Sequence, residues 1–150
     1  MVSHAPSGYA CPFCRNVREG QAEHPLELLY RDEHVFVKMN PKWWPNNPGS
    51  VLVVPVDHHE NIFDLPDSLG QPIQRAARSA AIAMKAAYGC DGVSLRQHNE
   101  PAGNQRVWHY HLHVHPRWAG DDFYRTTGQM AAADAIGRRA DELRAHWPDA

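Results

Sequence analysis

Hydrophobic and polar positions change their period several times along the chain, and each change marks an element. Residues 12–19 read as one short helix. Leu26 to Tyr30 and Val35 to Met39 are short apolar segments on either side of Arg31-Asp32-Glu33-His34, the pattern of a β-hairpin. Asn40 to Gly49 crowds prolines, asparagines and two tryptophans together and predicts an irregular loop, in which Trp43 and Trp44 either cap a pocket or meet a partner subunit. Val51 to Val56 is continuously apolar and stops at Asp57-His58-His59, as a buried central strand would. Pro72 to Tyr88 carries Ala, Ile, Met and Arg at helical spacing, with Pro72 suited to a first turn and Gly89 to a C-cap. Gly92 to Gln97 resumes strand character, and His98 to Asn104 supplies a loop. Thr127 to Trp147 predicts an amphipathic helix with Met130, Ala133, Ile136, Ala140 and Leu143 on one face. Mostly strands, with one central and one C-terminal helix, this order is that of an α+β fold on an antiparallel sheet.

The most regular stretch is Trp108 to Val114. Strand side chains alternate, so His109, His111, His113 and His115 share one face while Trp108, Tyr110, Leu112 and Val114 share the other. Pro116 gives the ladder a reason to stop. Four imidazoles in period-two register can be a solvated surface, a metal site or a catalytic surface. Neutral imidazole is both nucleophile and metal ligand, and its ordinary pKa of about 6.5 permits proton exchange at neutral pH, so chemistry or metal is the favoured reading.

Composition narrows the classes. The 150 residues fit one domain, spanning 1–150, with a real core. Fifteen Lys and Arg against seventeen Asp and Glu leave no overall basic field for a nucleic-acid polymer and no polybasic segment for a membrane. An anionic ligand must therefore be caught locally. No basic flank precedes an apolar leader and no run of about eighteen apolar residues occurs, which predicts a cytoplasmic protein. Three cysteines, two of them as Cys11-Pro-Phe-Cys14, do not make a disulfide framework. The pair can be half of a zinc site, a redox motif or chance; the short polar segment before it argues against a thioredoxin-like strand.

The row His109-Tyr-His111-Leu-His113-Val-His115 resembles the histidine-triad (HIT) motif, His-φ-His-φ-His-φ-φ, with φ an apolar residue. The resemblance extends to Cys11-x-x-Cys14, Asn40-Pro41, Pro48-Gly49 before Val-Leu-Val-Val-Pro, His58-His-Glu-Asn, Asn99, the Ala102-Gly103 loop, Gln105-x-Val107 and Pro116-Arg117. Trp118-Ala-Gly-Asp121 is similar to the segment that follows the motif in the fragile-histidine-triad hydrolases. Members are nucleotide hydrolases and nucleotidyl transferases, usually homodimeric α+β domains. The resemblance implies that His111 attacks an α-phosphorus to form a nucleotidyl-histidine intermediate, while His113 binds a non-bridging oxygen. It also implies that Gln105 and Asn99 contact the phosphate and leaving group, that Asn40 sits near the ribose, and that Phe13 and Phe36 line the base pocket. Zinc-containing members imply Cys11, Cys14, His58 and His109 as ligands of a structural zinc, His58 being favoured over His59.

Departures from the family pattern fall at His115, where an aliphatic residue is expected, and at Arg106, Lys38 and Ser50. The Trp43 to Asn47 loop is longer by two residues, which predicts an altered pocket rim. Two readings from other classes stand beside the triad enzyme: a metallohydrolase with one catalytic zinc on three strand histidines, and a nucleotide-binding protein without turnover.

Overall fold

The computed structural model describes residues 1–19 and 27–149. The predicted start of the first strand, Leu26, lies outside them. A five-stranded antiparallel sheet is built from β1 (Leu28–Arg31), β2 (Val35–Met39), β4 (Val51–Pro55), β5 (Gly92–Gln97) and β6 (Leu112–Arg117), in the order β1-β2-β4-β6-β5. Helices α1 (Pro12–Arg18), α2 (Gly70–Tyr88) and α3 (Ala133–Ala145) complete the α+β fold.

β4 is buried along its whole length, as its unbroken apolar run requires, because both of its faces are covered. On one face, Val35, Val37, Val51, Val53, Tyr110 and Val114 pack against Ile73, Ala76, Ala77, Ala80 and Met84 of α2. Alanines let the helix approach closely, and Gly89 caps it in the left-handed conformation, with φ of 61°. On the other face, Phe36, Leu52 and Val54 form a smaller cluster with Cys11 and Phe13. This second face holds the histidines.

Three expectations are corrected. The Asn40 to Gly49 segment is not wholly irregular, since β3 (Lys42–Trp43) pairs with β7 (Gln129–Met130) in a second, two-stranded sheet. That pairing takes Met130 out of the C-terminal helix and leaves it exposed, and Ala133 is also exposed; only Ile136, Ala140 and Leu143 of the predicted face are buried. Finally, the histidine row is a ladder only from Leu112 onward. Before it, the Pro55 carbonyl accepts a hydrogen bond from the His109 ring, and the Tyr110 amide donates to His59 O, so side chain and loop replace strand pairing. Trp108 leaves the core row altogether; its amide donates to the Tyr9 hydroxyl.

Gly49 joins the start of β4 to the end of α2. Its φ is +97°, and a Cβ there would lie 2.5 Å from the Tyr88 hydroxyl oxygen. That hydroxyl donates to Gly49 O at 3.1 Å. Gly49→Ala should therefore combine backbone strain with a steric clash and cost about 3 kcal/mol of stability. A urea-denaturation midpoint unchanged from wild type would contradict this account of the junction.

Candidate active site

Cys11 is the N-cap of α1, with Pro12 at the first helical position, and its sulfur accepts from the Cys14 amide at 3.4 Å. One helical turn thus aims both sulfurs at the sheet. Cys11 Sγ lies 3.4 Å from His109 Nδ1, Cys14 Sγ lies 3.6 Å from the same nitrogen, and Cys14 Sγ lies 3.2 Å from His58 Nδ1. The ligand atoms of Cys11, Cys14, His58 and His109 all fall within 4.8 Å of one another, and His59 is not among them. Among the described residues no other such group forms.

The tautomers follow from the acceptors. A carbonyl can only accept, so the 2.9 Å contact of His109 Nε2 with Pro55 O puts the proton on Nε2 and leaves the Nδ1 lone pair for the sulfur side. His111 Nδ1 lies 2.7 Å from His109 O, which fixes its proton on Nδ1 and its lone pair on Nε2. Burial holds both rings neutral at physiological pH: it lowers the pKa of His111 and brings that of His109 to about 4. Burial also lowers His113 to about 2 and His115 to about 3.

Strand register arranges the rest. Lys38 faces Leu52, Leu52 faces His113, and His113 faces Arg96, so one row crosses β2, β4, β6 and β5 on the histidine side of the sheet. Above it opens a cleft of about 940 Å³ whose walls include Phe13, Asn40, Leu52, His111 and His113. Phe13 meets the His111 ring edge-on at 5.4 Å. Phe36 stands behind Phe13, fully buried, at 6.5 Å. Asn40 lines the cleft and uses its Oδ1 to accept from the Lys42 amide.

Gln105 and Asn99 do not line it. The Gln105 amide donates to Glu60 O and Val107 O and accepts from the Glu100 amide. Asn99 accepts from the Ile62 amide and exchanges hydrogen bonds with Gln97. Both therefore stitch the loop that follows His58 to the loop that precedes the histidines.

The motif marks His115 as a departure without giving it a place, and leaves out Arg96, Phe123 and Tyr124. His115 is 1% exposed, its Nδ1 has no hydrogen-bond partner among the described residues, and it lies in an aromatic nest, stacked on His113 at 5.5 Å and against Phe123 at 4.8 Å. Its place is that of a packing residue. Beside it, Trp44, Arg96, Phe123 and Tyr124 form the second wing of the cleft. The alternation of Ser94 and Arg96 along β5 is the only sequence signal that would have turned Arg96 toward the histidines.

Asp121 holds this wing together. Its carboxylate takes Arg117 Nε at 2.7 Å and Nη2 at 3.0 Å, Asn47 Nδ2 at 2.7 Å, and the Trp118 and Phe123 amides.

With this geometry established, residues 21–120 match the family model described as HIT domain. The chain belongs to the HIT domain family. This HIT-domain chain is 32% identical over 127 residues to a HIT-like protein of Methanocaldococcus jannaschii, covering 83% of this chain and 92% of that one. It is 26% identical over 121 residues to an adenylylsulfatase of Arabidopsis thaliana, covering 77% of this chain and 59% of that one. In structure it resembles a zinc-bound histidine triad family protein from Mycobacterium smegmatis, with a TM-score of 0.75, 28% identity and coverage of 92% and 93%. No helix among the described residues is long and apolar enough to cross a membrane.

The Arg117 guanidinium, first among several donors, holds the Asp121 carboxyl well below the usual carboxylate range. A depressed folded pKa contributes stability above the unfolded value, about 4, and loses it as pH falls toward the folded one. Asp121→Asn should cost roughly 3 kcal/mol at neutral pH by leaving Arg117 without its charge partner. The gap between wild type and variant should narrow in acid. Urea midpoints that differ by the same amount at neutral and acid pH would refute this role.

Proposed function

We propose that the protein is a nucleotide hydrolase or nucleotidyl transferase that cleaves a nucleoside phosphate conjugate through a covalent intermediate on His111. The observation that carries this reading is the 2.7 Å contact between His111 Nδ1 and His109 O, which leaves Nε2 unprotonated on a ring that lines the cleft. Nε2 attacks the α-phosphorus. A P–N bond forms, the bond from phosphorus to the leaving group breaks, and the leaving group takes the electron pair. Water, or another hydroxyl acceptor, then attacks the same phosphorus and loses its proton to solvent; the P–N bond breaks, its electron pair returns to Nε2, and the nucleotide departs from a free His111. The neighbouring His113 contributes hydrogen bonding to a non-bridging oxygen, where charge develops.

Phe13, with Phe36 behind it, is assigned as the apolar wall for the base and Asn40 as the ribose contact; the position of Phe13 and Asn40 on the cleft wall supports both. Gln105 and Asn99 would meet substrate only by exchanging present partners, so their hydrogen bonds support a role in holding the cleft rim. The resemblance also implies a second copy of the chain as partner; β5 is an edge strand and exposes Leu95, which supports a seat for it there. A catalytic metal on three strand histidines fits less well, because His109 turns Nδ1 toward the cysteines and His111 gives Nδ1–H to a carbonyl.

We assign Cys11, Cys14, His58 and His109 to a structural zinc. Two thiols and two imidazoles suit tetrahedral zinc, and the Pro55 carbonyl orients His109 as a ligand's outer partner does. Such a closed set would tie α1 to the loop after β4 and to the histidine segment, with no open position for chemistry.

His111→Asn should lower kcat by about a thousandfold or more while nucleotide binding persists, each 1.36 kcal/mol of lost barrier stabilisation being about tenfold. Turnover within tenfold of wild type, or no acid-labile nucleotidyl-histidine on rapid quench, would overturn the mechanism. Cys11→Ser should release the metal and lower the melting temperature, since folding and binding are coupled in such sites. Elemental analysis beside thermal melting reads both, and full metal occupancy in Cys11→Ser would remove the structural site.

A further inference from the structure

Two guanidinium groups touch the ring of Phe123, and they differ in what else they touch. Arg117 lies 4.6 Å from the ring centroid, and each of its three nitrogens is engaged, on Asp121 or on Ser94 Oγ. Arg96 lies 5.2 Å from the same centroid and 5.7 Å from that of Trp44. Half-buried between these two rings, it makes no hydrogen bond or ion pair among the described residues. It faces His113 directly across the strands.

The charge of the whole cleft points the same way. Among the described residues its walls carry Lys38, Lys42, Arg96 and Arg106, with Arg15 at the edge, against one carboxylate, that of Glu27. Glu27 is on the opposite wing and is already spent on Lys38 at 3.2 Å. A chain with a net charge of −2 thus concentrates cations around its histidines. A half-buried guanidinium with unused, forked N–H donors is a seat for a tetrahedral oxyanion.

We propose that Arg96, clamped by Trp44 and Phe123, binds the leaving group, and that this leaving group is an oxyanion. The substrate class is then a phosphoric anhydride, in which a nucleoside monophosphate is joined to a second phosphoryl or sulfuryl group. This rests on the His111 reading and selects among its substrates. When Nε2 of His111 bonds to the α-phosphorus, the bridging oxygen leaves with the electron pair, and Arg96 offsets the negative charge that grows on the departing group. Arginine stays protonated near neutrality and cannot give that group a proton. It therefore suits a group that departs as a stable anion, whereas an amine must be protonated as it leaves. A leaving group that itself carries an ammonium would also enter a cationic wing.

The test compares four substrates that share one nucleoside: a dinucleoside triphosphate, a nucleoside 5′-phosphosulfate, an unsubstituted 5′-phosphoramidate, and a phosphoramidate of a lysine-like amine. Wild type should turn over at least one anhydride with kcat/KM above both amidates; the faster anhydride tells whether the seat takes phosphate or sulfate. Arg96→Leu should lower the ratio of anhydride to amidate kcat/KM by about 30-fold, the scale of a lost charge-assisted hydrogen bond, and Arg96→Lys should recover part of it. A wild-type preference for the lysine-like amidate, or an equal loss on all four substrates in Arg96→Leu, would overturn the proposal. Failure of the underlying reading looks different, as turnover that survives His111→Asn. In that event, calorimetric binding of inorganic pyrophosphate still decides the seat: it should weaken about tenfold in Arg96→Leu, and unchanged affinity would sink it.

Discussion

His109 is fully buried, and each of its hydrogen-bonding groups has one task. Nε2–H is anchored on the Pro55 carbonyl at the end of the central strand, Nδ1 faces the cysteines of α1, and the backbone carbonyl takes the proton of His111. Through one imidazole and one peptide group, the tautomer of a cysteine-facing histidine and that of its cleft-lining neighbour are set together. Leaving any of these buried groups unmatched would cost on the order of 1–3 kcal/mol, so the arrangement is enforced by desolvation and not merely permitted.

Pro55 makes this possible in two ways. Having no amide hydrogen, it ends the β4 ladder without stranding a donor, and its carbonyl is freed for a side chain because the opposite segment has left the sheet. The same departure turns Tyr110 to the loop after β4, which Gln105 and Asn99 fasten in place. A break in regular structure is what brings residues from four separate segments, around positions 11, 58, 99 and 109, to one end of the sheet.

Beyond that end, the sheet acts as a ruler. Directly opposed residues lie about 5 Å apart, so the row from Lys38 to Arg96 spaces Lys38, Leu52, the neutral imidazole of His113 and a guanidinium unpaired among the described residues across three strand intervals. The aromatic wing would not stand without the Asp121 carboxylate, which ties the tryptophan-bearing loop to Arg117 and to the Phe123 amide.

Much of this was legible in the chain itself. Period-two alternation along Leu112–Arg117 puts His113 and His115 on one face, because a strand admits no other arrangement, and the apolar run before Asp57 fixes a central buried strand, whereas His109 and His111 precede the ladder and are held by hydrogen bonds to carbonyls. The pairing of Cys11-x-x-Cys14 with His58 and His109 came from the HIT resemblance and not from spacing, since no local rule connects positions nearly a hundred residues apart. What only the tertiary structure decided are the matters that depend on how the chain is folded in space: the proton positions on His109 and His111, set by the carbonyls of Pro55 and His109; the loss of Met130 from the helix to a short strand beside Lys42; and the surroundings of Arg96. An arginine on an edge strand reads as a solvated charge until the fold shows Trp44 and Phe123 on either side of it and no carboxylate paired with it among the described residues, because pairing is a property of neighbours in space and not of residues in order.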